Sequence, residues 1–201
     1  MKLLLLNLAL IFTTITGDYL VFQSKYSSSM VFRAFCDTSV HGAIGFLSAV
    51  VFFNRIDVDN QVYIYNVIFC TILSSLIDVD HFIVARSFYL KDLTNLKQRG
   101  IFHCTTFWTL ITIIILFYSY IFKKINFYLL SFMIFLAFIS HHVRDANRRG
   151  FWVYPYGHTN PINEYIYLFL TIFIPNLLAT IYPMFEKGFY RETVFYYKMV
   201  I

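Results

Sequence analysis

Six runs of about 17 to 24 mostly apolar residues divide this 201-residue chain, and they leave no room for a water-soluble fold. A helix needs about 20 such residues to cross the hydrocarbon layer of a bilayer. The runs are residues 3–22, 37–53, 62–85, 101–122, 127–143 and 165–185. Hydrophobic residues make up 59% of the chain and Asp, Glu, Lys and Arg together 13%. That is about half the charged share of a soluble domain, too little to wet a globule. The same composition excludes a disordered chain. Ile, Val, Phe and Tyr are frequent in the runs, and in water they would favour strands. Length and continuity favour helices instead, because a helix satisfies every backbone group within its own segment. The alternating polarity of a membrane barrel is absent. The expected fold is all-α: a polytopic helical bundle of about six transmembrane helices, one multi-pass domain over residues 1–201. The integral location does not specify which membrane.

The first run has a second reading. Lys2, an apolar stretch to Phe12 and a Thr/Gly segment before Asp18 resemble a cleavable signal peptide. Apolar character resumes at Tyr19–Phe22, which favours a retained helix. The net charge of +5 would suggest nucleic acid in a soluble protein. Here the basic residues lie mainly between the runs, without zinc-finger spacing or a Gly/Arg tract, so a membrane-surface role is simpler and no nucleic-acid partner is expected. Lys plus Arg number seven on the N-terminal side and nine on the other, too close to orient the chain. Cys36, Cys70 and Cys104 form no disulfide pattern. No internal repeat stands out.

The informative residues are the polar ones inside the runs. Their charged side chains are Asp18, Asp37, Asp78 and Asp80, all acidic, and five of the six histidines join them: His41, His81, His103, His141 and His142. Alternating the runs across a bilayer puts every one of these at the same face, opposite the N-terminus, with Asp145 one turn beyond His141. An unpaired carboxylate at the centre of a membrane helix costs roughly 2.5–3.5 kcal/mol, and less near the interface. Aspartates without bases in their own layer call for a cation, and a divalent metal also accepts neutral imidazoles. Asp37 and His41 share a helix face at i,i+4, as do Asp78 and His81 at i,i+3 and His141 and Asp145 at i,i+4. On a regular helix Asp80 points away from Asp78 and joins only if the helix frays. Mixed Asp/His donors suit zinc, manganese or iron better than calcium or magnesium. More than four candidates allow two ions.

Plainer roles exist for each residue. Asp and His near helix ends can sit among headgroups, with Arg33, Arg86, Arg99 or Arg144 as loop partners. Asp18 fits a helix-packing contact, Cys104 a small packed residue and His158 a solvated loop residue. The segment Gly150–Gly157, rich in aromatics, reads either as an interfacial belt or as a lid over the site.

The stretches Thr38–Gly42, Ile77–Phe82, Phe102–Thr105 and Ser140–Asp145, continuing through Gly150–Gly157, resemble the transmembrane protein 267 family of animals in order and spacing over roughly residues 15–185. That resemblance implies a multi-pass membrane protein and lends no activity. More distantly, the pattern is similar to the bacterial membrane-bound, predicted metal-dependent hydrolases regulated by the SOS repressor. In that comparison His41 matches the first-motif His, and Asp78 with Asp80 the aspartate pair. Arg99, Gly100 and His103 match the third motif, and His141 with Asp145 the fourth. Ile77 stands where that family has Pro, and Cys104 where it has Ser.

The expected activity is that of a metal-dependent hydrolase acting on an ester or phosphoester of a lipid. His41, Asp78, His103 and His141 are the expected ligands of a divalent zinc, manganese or iron ion. Asp80 and Asp145 orient the histidines or take a proton from water. His81 and His142 are secondary candidates, and Arg99 or Arg144 a holder of phosphate. The alternative is a non-catalytic scaffold or a metal or proton conduit. A conduit needs polar groups through the bilayer centre, where Asn7, Thr71, Ser74, Ser75, Thr109, Thr112 and Asn176 are few and uncharged.

Overall fold

The computed structural model of the protein describes residues 1–94, 96 and 98–197, with the side chains of all but Thr94, Lys187 and residues 190–197 among them. The long helices are α1 (Lys2–Phe22), α2 (Met30–Phe53), α3 (Asn60–Leu76), α6 (Thr105–Phe122), α7 (Ile125–Arg149) and α8 (Glu164–Tyr197). Short helices α4 (Asp80–Ala85) and α5 (Leu90–Thr94) lie between α3 and α6. Six segments are long and apolar enough to cross a membrane: Lys2–Phe22, Met30–Phe53, Asn60–Ala85, Thr105–Phe122, Ile125–Arg149 and Glu164–Glu186. They correspond one for one to the runs read from the sequence. The protein is an integral, multi-pass, all-α membrane protein.

Helix ends follow local capping chemistry. α2 begins at Met30, ahead of residue 37, where the Ser29 hydroxyl accepts from the Phe32 amide. The Asp59 carboxylate accepts from the Gln61 amide at 2.7 Å and starts α3. Lys123 adopts a left-handed conformation (φ 52°) that turns α6 back into α7. α7 continues past residue 143 to Arg149, so Arg144 and Asp145 belong to the helix and not to a loop.

α7 is the central helix, packed by α2, α3, α6 and α8, while α1 lies against α2 and α8. Toward the N-terminal side of the bundle, Phe52, Phe132, Tyr128 and Tyr182 form an aromatic core, with the Tyr128 hydroxyl donating to the Tyr182 carbonyl at 3.0 Å. Large apolar residues such as Leu4, Phe12, Ile68, Ile114 and Phe117 stay exposed, as lipid-facing positions should.

One seam positions the functional end. α2 and α3 approach closely because Gly42 and Gly45 face Ser74 and Ser75; a Cβ on Gly45 would lie 2.6 Å from that of Ser74. The Ser74 hydroxyl donates to the His41 carbonyl at 3.0 Å. Small residues thus bring His41 beside the end of α3. After Leu76 the helix tightens into a 3-10 turn at Ile77–Val79 before α4. A second 3-10 turn, Ile101–His103, precedes α6, so His103 stands ahead of the spanning helix. β1 (Trp152–Val153) and β2 (Gly157–His158) form a small antiparallel hairpin, and Trp152 also bridges to Cys104.

Candidate metal centre

Four parts of the chain contribute donors. α2 carries His41, the end of α3 and its 3-10 turn Asp78, the turn before α6 His103, and α7 His141 and Asp145. All meet in one cluster. His103 Nε2 lies 3.2 Å from Asp78 Oδ1 and 3.6 Å from Asp145 Oδ2. His141 Nε2 lies 3.6 Å from Asp78 Oδ1, and His41 Nε2 3.7 Å from Asp145 Oδ1. The His41 and His141 rings stack with centroids 3.7 Å apart. Donor triads His41/His141/Asp145 and Asp78/His103/His141 each keep their atoms within 4.8 Å of one another.

The hydrogen-bond pattern selects which imidazole nitrogens face inward. His141 Nδ1 donates to the Ser74 carbonyl at 2.8 Å, so its Nε2 carries the free lone pair. Asp80 accepts from His103 Nδ1 at 3.0 Å, again leaving Nε2. The Nε2 atoms of His41, His103 and His141 are buried and have no hydrogen-bond partner among the described residues. Three orphaned imidazole nitrogens pointing at two carboxylates are costly unless something positive joins them. This donor set fits a divalent metal ion. Ser74 and Asp80 serve as the outer partners that fix ligand orientation in such sites. Burial opposes charge on His103, but the carboxylates of Asp78 and Asp80 beside it outweigh that and raise its pKa to about 9.

Asp80 joins because the 3-10 turn breaks helical phase. Its carboxylate also accepts from the Phe102 amide at 3.0 Å. Gly100 packs directly on that carboxylate, and a Cβ there would collide with it. Asp80→Asn keeps the shape but loses the negative charge behind His103. Metal affinity is expected to fall roughly 10–100-fold, as for other outer-partner substitutions, with the fold intact. Competition against a fluorescent chelator measures it, and an unchanged affinity would remove Asp80 from the site.

The other candidates have further partners, although His81 groups with Asp80 and His103, and Asp37 with His41 and Asp78, within 4.8 Å. His142 is not brought in: its Nε2 donates to the Phe102 carbonyl at 3.0 Å and its Nδ1 accepts from the Thr105 hydroxyl at 3.1 Å, so neither nitrogen is available. His81 is partly exposed at the rim, with Nδ1 3.6 Å from Asp78. His158 stacks on Trp152 in the hairpin. Asp18 and Asp37 do have a basic partner. Arg144 Nε donates to Asp18 at 2.9 Å and Nη1 to Asp37 at 2.7 Å, while the Tyr167 hydroxyl donates to Asp18 at 2.9 Å. Arg144 therefore ties α1, α2, α7 and α8 together and is committed away from the centre. Arg99 bonds Asp145, joined there by Arg148 at 3.1 Å. Burial pulls the Arg99 pKa below its usual value, against the raising effect of Asp145.

Residues 37–197 match the model of the YdjM inner membrane protein family, a range that carries every donor of this cluster. The chain belongs to the YdjM inner membrane protein family. It is also 31% identical over 170 residues to Transmembrane protein 267 of Bos taurus, covering 84% of this chain and 77% of that protein. The Mus musculus protein of that name is 36% identical over 164 residues, 81% of this chain and 73% of its own. Both likenesses seen in the sequence are thereby borne out. No solved structure matches the chain. The family name and the six apolar helices agree on a membrane location.

Proposed function

We propose that this protein is a membrane-embedded metal-dependent hydrolase that acts on an ester or phosphoester of a lipid. The observation that carries the proposal is the convergence of three unpartnered Nε2 atoms, from His41, His103 and His141, on Asp78 and Asp145. His41, Asp78, His103 and His141 would hold the ion, with zinc, manganese or iron favoured by the donor set. When bound, a dication would supply Lewis acidity to the scissile group and acidify the attacking water.

The chain's own residues do the rest. Asp80 fixes the His103 ring and the Ser74 carbonyl fixes that of His141. Asp145 carries two guanidiniums, from Arg99 and Arg148. Its part is to complete the donor ring beside His41 and His103. His81, partly exposed and next to Asp78, passes a proton between the centre and solvent. The cluster lies toward one face of the bundle, where water and headgroups meet the lipid. Beyond it lies the apolar, aromatic core around Phe52, Phe132 and Tyr182, which favours a hydrolase over a conduit.

The test uses purified protein in detergent, stripped with a chelator and then reloaded with zinc, manganese or ferrous iron. Release of fatty acid or phosphate from short-chain lipid esters and phosphoesters is followed. Hydrolysis should vanish on stripping and return on reloading. Equal rates with and without metal, or no turnover of either class, would overturn the proposal.

A further inference from the structure

We infer that the open cavity beside the centre is a phosphate-binding mouth, so that the substrate is a phosphorylated lipid and not a neutral carboxylic ester. The inference rests on the hydrolase reading and narrows its substrate class. The cavity holds about 760 Å³ and is lined by Leu96, Gln98, Arg99, Arg149, Trp152 and His158. That volume accommodates a headgroup and the first part of its chains. Among the described residues its lining contains two guanidiniums and an imidazole but no carboxylate.

Arg99 connects this cavity to the metal centre. One of its terminal nitrogens holds Asp145, its side chain is 9% exposed, and its Nε–H has no acceptor among the described residues. A buried guanidinium N–H without an acceptor is rare and calls for one. Arg149 stands on the rim as a second fork. Burial first, then the charges of Arg99 and Arg149, lower the pKa of His158. These groups are therefore close enough to repel one another, and an anion among them relieves that repulsion. A phosphate matches two guanidinium forks in charge and shape, whereas a carboxylic ester offers them only a neutral carbonyl.

The surroundings agree on depth. Trp152 stacks on His158 with centroids 5.9 Å apart, and Tyr154 and Tyr156 on the same hairpin are exposed. Trp and Tyr gather at the level of lipid headgroups, which is where lipid phosphates lie. The aromatic hairpin thus forms the lipid-facing lip of the mouth, while the buried Arg99 lies deeper in it.

The experiment is calorimetric titration of metal-stripped protein in dodecyl maltoside, which contains no phosphate. Dioctanoyl phosphatidic acid is compared with dioctanoylglycerol. The phosphate-bearing lipid should bind at least about tenfold more tightly, and Arg149→Ala should weaken it about tenfold, the worth of one charge-assisted hydrogen bond. Arg33→Ala, which removes a basic residue on α2 outside the cavity, should change nothing. If inorganic phosphate displaces the lipid at equal concentration, the site takes the phosphate group by itself; if it does not, the acyl chains contribute and the lipid is the source. Equal affinity for the two lipids, or equal loss in Arg149→Ala and Arg33→Ala, would overturn the inference. A phosphate preference in a protein that hydrolyses nothing when reloaded would keep this site and remove the hydrolase reading. Hydrolysis of a neutral ester without the preference would do the reverse.

Discussion

Replacing His103 and His141 together by alanine should reduce bound transition metal from stoichiometric to background and abolish hydrolysis. Both rings direct an unpartnered Nε2 at Asp78. Substituting a single outer partner of a metal ligand already costs roughly 10–100-fold in affinity, so losing two ligands should exceed that range. Elemental analysis of the purified variant reads the outcome. Both side chains are fully buried, so the substitution also opens a cavity, and loss of metal through unfolding must be told apart from loss of ligands. His142→Ala supplies the contrast. That ring is equally buried on the same helix but spends both nitrogens on Phe102 and Thr105. It should lose stability and keep its metal. Metal retained by the double variant, or lost equally from both, would contradict the assignment.

The second large effect is expected at Arg144. Its guanidinium is 1% exposed and pairs with Asp18 and Asp37 from two other helices. Arg144→Leu leaves Asp18 without its base and Asp37 with only Arg148, 3.9 Å away. Breaking a buried pair from one side costs roughly 3–5 kcal/mol, and because Asp18 and Asp37 are about a quarter exposed the lower end, about 3 kcal/mol, is expected. Thermal unfolding in detergent measures it. Arg144→Leu combined with Asp18→Asn and Asp37→Asn should recover much of the loss, because no unpaired charge remains. A single variant as stable as wild type would show that the cluster does not hold α1 and α2 against α7.

Much of this was legible in the chain. Long apolar runs settle the helical bundle, and the one-sided placement of Asp and His follows from alternating those runs across a bilayer. Counting along the runs puts His41, Asp78, His103 and His141 toward the same face. What stayed hidden is three-dimensional. Asp80 reaches His103 only because a 3-10 turn, packed against Gly100, breaks the phase of its helix. His141 is oriented by a backbone carbonyl, that of Ser74, which leaves no mark in residue identity. His142 looks like its neighbour in sequence, yet the Phe102 carbonyl and the Thr105 hydroxyl remove it. Arg144 reads as a loop base free for a ligand because the apolar run stops at residue 143. The helix continues because two aspartates neutralise the arginine inside the bundle, which also answers for Asp18 and Asp37 without any metal.

The most direct measurement of the central claim is an anomalous-scattering structure of the metal-loaded protein. The account predicts a metal peak about 2.0–2.2 Å from the Nε2 atoms of His41, His103 and His141 and from a carboxylate oxygen of Asp78, the usual span for such ligands. A peak bound elsewhere, or these side chains turned apart around no ion in protein loaded with metal, would contradict it.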